Sequence, residues 1–128
     1  DSRLYLLRDE LQQITTDHSL VEEMVRLGKL TQEEGRNHPD KNIITRAIGA
    51  EETVTVDCFE EKTGIRDVIL LCSDGLTNMV SNEQIQQIIK TEKNLQKAAE
   101  LLVETANRNG GRDNITVLLI SRKSNEVK

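Results

Sequence analysis

The sequence predicts an α+β fold in which an antiparallel sheet carries two late helices. Three observations lead to this prediction. A strand–turn–strand pattern occupies residues 4–15, two continuous apolar runs occupy residues 68–72 and 115–120, and apolar side chains recur at helical spacing through residues 81–92 and 94–108. The 128 residues are enough for one domain with a single hydrophobic core.

The first strands are predicted to form a hairpin, because the turn signal Asp9-Glu10 separates the apolar run at 4–8 from a second run at 11–15. Residues 53–60 alternate apolar and polar side chains, which predicts a strand with one face exposed to water.

The two continuous apolar runs predict strands that are buried on both faces. Cys58 and Cys72 fall in predicted strands, and their spacing matches no zinc site. We therefore expect two buried thiols in a reducing compartment, the cytoplasm.

Capping residues mark where the helices begin. Between the early strands and residue 53, Ser19 opens a helix that Gly28 stops, and Thr31 with Glu34 forms a capping box. Residues 17–43 are thus predicted to be a polar helical insert between strands, of a kind that often covers a site.

The two late helices have similar start signals. Ser81 with Gln84 predicts a capping box, and Asn94 predicts the cap of the last helix, which ends at Asn109-Gly110-Gly111. Residues 123–128 are predicted to be a polar tail.

Composition argues against two classes of function. The net charge is −5, and Tyr5 and Phe59 are the only aromatic residues, so neither a basic patch nor a base-stacking surface for nucleic acid is expected. The apolar runs are too short to span a membrane.

Two segments share a design that suits metal binding. The run at 68–72 leads into Ser73-Asp74-Gly75, and Gly110-Gly111-Arg112-Asp113-Asn114 leads into the run at 115–120. Strands hold such carboxylates in place, and hard divalent cations prefer carboxylate oxygens. Asp74 and Asp113 are therefore candidate metal ligands for phosphate-ester chemistry.

Other interpretations of these residues stay open. Asp-Gly after a strand is more often a turn, and Arg112-Asp113-Asn114 could be a plain loop. Ser73 could be a nucleophile, although no nucleophile elbow surrounds it. His18 and His38 are expected to be solvated or capping residues, and Arg46 and Arg112 structural partners of nearby carboxylates, rather than groups that meet phosphate.

Several motifs in order carry a resemblance to a known family. They are Asp1-Ser2-Arg3, Thr16-Asp17-His18-Ser19, Ile44-Thr45-Arg46-Ala47-Ile48-Gly49, Leu70-Leu71-Cys72-Ser73-Asp74-Gly75-Leu76 and Gly111-Arg112-Asp113-Asn114-Ile115-Thr116-Val117. Together they resemble the C-terminal part of the metal-dependent, type 2C serine/threonine protein phosphatases, in particular the bacterial kind, over residues 1–122.

The resemblance implies a fold, an activity and a set of site residues. The fold would be the C-terminal portion of an α-β-β-α sandwich, with residues 17–48 as a flap beside the active site. Asp74 and Asp113 match ligands of a two-metal centre, and Asp1 matches a ligand of a third metal ion. Gly75 and Asn114 match positions that shape the loops.

The implied reaction is hydrolysis of phosphoserine or phosphothreonine in proteins by water that two or three Mg²⁺ or Mn²⁺ ions activate. The implied partners are phosphoproteins and an opposing serine/threonine kinase in bacterial signalling. No catalytic residue beyond the metal ligands is expected, because the family's phosphate-binding Arg belongs upstream of Asp1.

The family's bridging Asp segment does not occur in this sequence, so we expect the chain alone to be inactive. Its exposed core face would bind a missing N-terminal half or a second copy. The alternative is a non-catalytic, phosphatase-like interaction or regulatory module.

Overall fold

The computed structural model describes residues 1–122, and the predicted tail at 123–128 lies outside them. By its internal contacts the chain divides into two units. The insert unit comprises Asp1 and Thr16–Phe59, and the sheet unit comprises Ser2–Thr15 and the residues from Glu60 onward.

The sheet unit is built on four antiparallel strands in the order β2-β1-β3-β4. Its strands and helices are β1 (Arg3–Leu7), β2 (Leu11–Gln13), β3 (Val68–Cys72), α3 (Asp74–Thr77), α4 (Asn82–Thr91), α5 (Leu95–Arg108) and β4 (Val117–Ser121). The predicted hairpin is confirmed as β1 and β2, and the antiparallel sheet with two late helices is confirmed as well. A four-residue helix, α3, was not predicted.

One face of the sheet forms the core with the helices. Tyr5 and Leu70 are paired across β1 and β3, so their side chains share this face, and both are buried. From α3, the turn before α4, and the two late helices they meet the buried apolar side chains Leu76, Val80, Ile85, Ile89, Leu102 and Ala106, of which the last four recur at the predicted helical spacing. This close packing fixes the position of α3, the helix that follows β3, relative to that strand.

The opposite face of the sheet is apolar but partly open. Leu71 on β3 is 37 % exposed, and Leu118 and Ile120 on β4 are 51 % and 43 % exposed. The prediction that both apolar runs are buried on two faces is therefore wrong. The helices cover only one face, and β4 is an edge strand, so these runs need a further layer to be buried twice.

The helices begin at the predicted caps. Asn94 Oδ1 accepts a hydrogen bond from Lys97 N (3.1 Å), and Ser81 Oγ accepts one from Gln84 N (3.2 Å). These bonds satisfy backbone N–H groups that a helix leaves unpaired at its first turn.

The insert unit contains α1 (Leu20–Arg26) and α2 (Gln32–Arg36). Ser19 caps α1 through Glu22 N, and Thr31 and Glu34 form the complete capping box of α2, so both predicted starts are confirmed. Gly28 lies just beyond α1 with a positive φ of 77°, a conformation that favours glycine.

The predicted strand at 53–60 is wrong, because this segment pairs with no strand within residues 1–122. Val54 and Val56 are 41 % and 73 % exposed. Alternating apolar and polar side chains do not form a strand by themselves. A strand also needs a neighbouring strand whose backbone completes the hydrogen-bond ladder. Cys58 is consequently exposed, against the prediction, whereas Cys72 is buried in β3 as predicted.

Within residues 1–122, no helix is both long enough and apolar enough to cross a bilayer.

An ion pair links Arg8, just after β1, to Asp67, just before β3. Arg8 Nη2 lies 2.9 Å from Asp67 Oδ2, and the same carboxylate oxygen accepts a hydrogen bond from Gly64 N (2.8 Å). The side chain of Asp67 is only 7 % exposed. The hydrogen bonds from Arg8 and then Gly64 hold the pKa of Asp67 below its ordinary value.

This ion pair makes stability depend on pH. Because the folded-state pKa of Asp67 is lowered, its stabilisation is complete above the unfolded pKa of about 4 and is lost as pH falls through the folded pKa. We expect Asp67→Asn to lower the midpoint of thermal unfolding at pH 7 and to weaken its fall in acid. Asp9→Asn, in the exposed β1–β2 turn, is the control. An unchanged acid profile in Asp67→Asn would contradict this account.

Candidate active site

The first predicted carboxylate lies where β3 passes into α3. Ser73 is the N-cap residue of this four-residue helix and has an extended backbone, and Asp74 is the first helical residue. The buried side chains of Leu76 and Thr77 anchor the helix. Asp74 is thus fixed from both sides, by a core strand and by a packed turn.

The second predicted carboxylate lies in the loop between α5 and β4. Gly110 and Gly111 both have positive φ, 139° and 51°, which allows the chain to reverse after α5. Asn109 Nδ2 donates a hydrogen bond to the backbone oxygen of Met79 (2.9 Å) and fastens the end of α5. Asp113 follows in an exposed position.

Hydrogen bonds join the two segments just beyond the β3–β4 ladder. Ser73 N donates to Thr116 O (3.1 Å), and Thr116 N donates to Ser73 Oγ (3.0 Å). Ser73 Oγ in turn donates to Asn114 O (3.2 Å). The residue before Asp74 is therefore bound to the residue after Asp113.

The backbones also approach very closely at Gly75. A Cβ atom placed on this glycine would lie 2.0 Å from Asn114 O and 2.9 Å from Asn114 C. Both atoms belong to the backbone, so no side-chain rotation could relieve the clash. The predicted loop-shaping positions Gly75 and Asn114 thus meet each other, and only glycine fits at residue 75.

The two carboxylates have few competing partners. The side chain of Asp74 makes no hydrogen bond or ion pair with any residue among 1–122. Asp113 Oδ1 accepts one bond, from the N–H of the adjacent Asn114 (2.7 Å). Free carboxylate oxygens on two joined segments suit a hard divalent cation that keeps several waters in its coordination shell.

The donor set in this chain is incomplete for a tight site. Among residues 1–122, no group of three His, Cys, Asp or Glu side chains could hold a metal ion. Asp1, the third predicted ligand, is exposed and belongs to the insert unit. The residues present therefore fit part of a metal shell, and the metal roles of Asp1, Asp74 and Asp113 stay predictions.

Known proteins are similar to this chain in sequence and in fold. The sequence matches the protein phosphatase 2C family over residues 1–115. The chain belongs to this family. It is 49 % identical over 123 residues to the serine/threonine phosphatase Stp of Listeria innocua, a match that covers 95 % of this chain and 49 % of that protein.

Solved structures of phosphatases superpose closely on this protein phosphatase 2C chain. The S. agalactiae serine/threonine phosphatase has a TM-score of 0.89 at 44 % identity, with 95 % of this chain and 51 % of that chain covered. The catalytic domain of the phosphatase PstP, in complex with two manganese ions, has a TM-score of 0.75 at 42 % identity, with 93 % and 49 % covered. This family member thus spans about half the length of the relatives it matches.

The insert unit of this family member contains a charged cluster that sequence reasoning missed. Asp57 Oδ1 accepts a hydrogen bond from Arg46 Nη1 (2.9 Å), and its Oδ2 lies 2.7 Å from His18 Nε2. These hydrogen bonds, that of Arg46 first, lower the pKa of Asp57. Asp57 stood in the polar half of the alternating segment 53–60, which was the available signal.

Among residues 1–122, neither His38 nor Arg112, the sequence neighbour of Asp113, hydrogen-bonds to either carboxylate. His38 Nδ1 accepts a hydrogen bond from Asp40 N (3.0 Å) in a loop, and Arg112 is exposed and hydrogen-bonds to no residue among 1–122. Two polar clefts, of about 970 Å³ in the insert unit and about 620 Å³ beside α4, are lined by neither Asp74 nor Asp113.

The close approach at residue 75 can be tested by adding one methyl group. We expect Gly75→Ala to lower the free energy of unfolding in urea by about 1–3 kcal/mol, because the backbone of Asn114 must shift. Gly64→Ala is the matched control, since its Cβ would lie 3.7 Å from Asp67 Oδ2, an ordinary contact. Equal stabilities of the two variants would show that the approach is not a constraint.

Proposed function

We propose that this chain is the C-terminal part of a metal-dependent protein phosphatase that hydrolyses phosphoserine and phosphothreonine in proteins. The observation that carries the proposal is the junction of two carboxylate-bearing segments through Ser73, Gly75 and Asn114. The named serine/threonine phosphatases among its relatives support the same activity.

The proposed cofactors are Mg²⁺ or Mn²⁺, two to three ions in the complete enzyme. The two manganese ions of the related PstP support this choice, as do carboxylate ligands without His or Cys. Such ions, when bound, neutralise charge on phosphoryl oxygens and make water a stronger nucleophile at neutral pH.

In this proposal the chain's own residues hold the metal ions and keep the two carboxylate segments oriented. Asp74 and Asp113 supply ligand oxygens from segments that cannot separate easily, and Asp1 supplies an oxygen to a further ion. Gly75 and Asn114 keep the two segments in register. The group that binds the substrate phosphate is proposed to come from outside this chain.

We propose that the open face of the sheet binds the phosphatase half that this chain does not match. The support is the apolar surface of Leu71, Leu118 and Ile120, together with relatives about twice as long. An apolar surface of this kind favours burial against a second layer.

The proposed partners of the assembled enzyme are phosphoproteins and an opposing kinase. Its proposed location is the cytoplasm, which the two free cysteines support.

The activity can be tested by reconstitution. We expect no Mn²⁺-dependent hydrolysis of p-nitrophenyl phosphate by this chain alone, and hydrolysis after the unmatched half of the Listeria innocua phosphatase is added. Asp74→Asn and Asp113→Asn should each lower that rate by more than about 100-fold, because altering even the outer partners of a metal costs about 10–100-fold.

Asp9→Asn, a surface carboxylate variant, should leave the reconstituted rate unchanged. An active Asp74→Asn complex would overturn the metal-ligand assignment. A complex that forms without any activity would favour the non-catalytic regulatory module instead.

The docking face can be tested separately by calorimetric titration with the same half. Leu118→Asp and Ile120→Asp should each weaken binding at least about tenfold, because a buried unpaired carboxylate is costly. Leu118→Met, which keeps the surface apolar, is the matched control. Concentration-dependent self-association that the Asp variants abolish, without binding of the half, would identify a second copy as the occupant.

A further inference from the structure

We propose that Ser73 is a positioning residue that sets metal affinity by fixing the Asp113 loop against the start of α3. This inference rests on the proposed metal-dependent function and assigns a role to a hydroxyl that sequence reasoning considered only as a nucleophile.

The hydroxyl of Ser73 both donates and accepts a hydrogen bond between the two segments. It accepts a hydrogen bond from Thr116 N (3.0 Å) and donates its single proton to Asn114 O (3.2 Å). With the bond from Ser73 N to Thr116 O (3.1 Å), one residue makes three bonds across the junction. A hydroxyl used in this way holds backbone in place, and its proton goes to a backbone carbonyl rather than to a general base.

These bonds act where the β-ladder has ended. The last paired residues of β3 and β4 are Cys72 and Val117, so the ladder fixes nothing beyond them. The backbone bond from Ser73 N to Thr116 O continues the pairing by one step. The hydroxyl alone reaches further, to the carbonyl of Asn114, the neighbour of Asp113.

Ser73 and Gly75 both act on the backbone carbonyl of Asn114. Gly75 leaves room for Asn114 O, which would lie 2.0 Å from any Cβ there, and Ser73 supplies the hydrogen bond that holds it. On its other side the loop begins with Gly110 and Gly111, whose N–H groups bond back to Asn107 O (3.2 Å) and Ala106 O (3.0 Å) of α5, so these bonds do not reach Asp113. Without the hydroxyl, the Asp113 loop would lose its hydrogen bond at Asn114 O and would be held there by the Ser73 N–Thr116 O bond and the packing at Gly75.

The chain offers a matched control for a lost serine hydroxyl. Ser81 Oγ accepts a hydrogen bond from Gln84 N (3.2 Å) at the start of α4, a role in helix stability alone. Ser81→Ala should lower the free energy of unfolding by about 0.5–2 kcal/mol, the usual effect of losing a helix cap. It should not alter either carboxylate segment.

The experiment compares Ser73→Ala, Ser73→Thr and Ser81→Ala in the complex with the unmatched Listeria innocua half. Mn²⁺ affinity is measured from the electron paramagnetic resonance signal of free Mn²⁺, and hydrogen exchange is followed by mass spectrometry in peptides that cover 110–116. We expect Ser73→Ala to weaken Mn²⁺ binding about 10–100-fold and to speed that exchange. Ser73→Thr, which keeps the hydroxyl, should stay close to the parent, and Ser81→Ala should change neither readout.

Mn²⁺ affinity in Ser73→Ala equal to that in Ser81→Ala would overturn the proposal while leaving the metal-dependent function intact. A parent complex that binds no Mn²⁺ would overturn both the metal assignment and the role of Ser73 toward it. Weaker Mn²⁺ binding in Ser73→Ala without faster exchange at 110–116 would also overturn it, because the proposed cause is release of the loop.

Discussion

The contact between Gly75 and the carbonyl of Asn114 is the constraint on which the site depends. Here the segment that enters α3 and the loop that leaves α5 approach so closely that no side chain is tolerated. The helical core determines where each segment starts, since β3, α3 and α5 pack in one apolar cluster. The contact then determines how the segments that carry Asp74 and Asp113 lie against each other.

The chemistry follows from what this arrangement lacks as well as from what it holds. Carboxylates brought together at one site would repel each other without a cation, and a divalent ion would remove that cost. Because no group of three such ligands occurs within residues 1–122, we propose that further donors complete the site. The open apolar surface of the sheet is a second reason to propose another polypeptide layer, which would account for both features.

Local chemistry was readable from the sequence, and long-range pairing was not. The caps at Ser19, Thr31, Ser81 and Asn94 were predicted because each bond spans three residues. The burial of β3 and β4 was overestimated because an apolar run does not reveal whether a second layer is present. The bridge from Ser73 to Asn114 joins residues 41 positions apart, and only the fold shows it.

We propose that Asp74 and Asp113 face one metal site, and paramagnetic broadening by Mn²⁺ would show whether they do. Mn²⁺ would be added in substoichiometric amounts to the isotope-labelled chain in complex with the unmatched phosphatase half, and amide signals would be followed by NMR. We expect the signals of Gly75 and Asn114 to broaden first and together. Broadening centred on Asp57 in the insert unit, or at only one of the two segments, would contradict it.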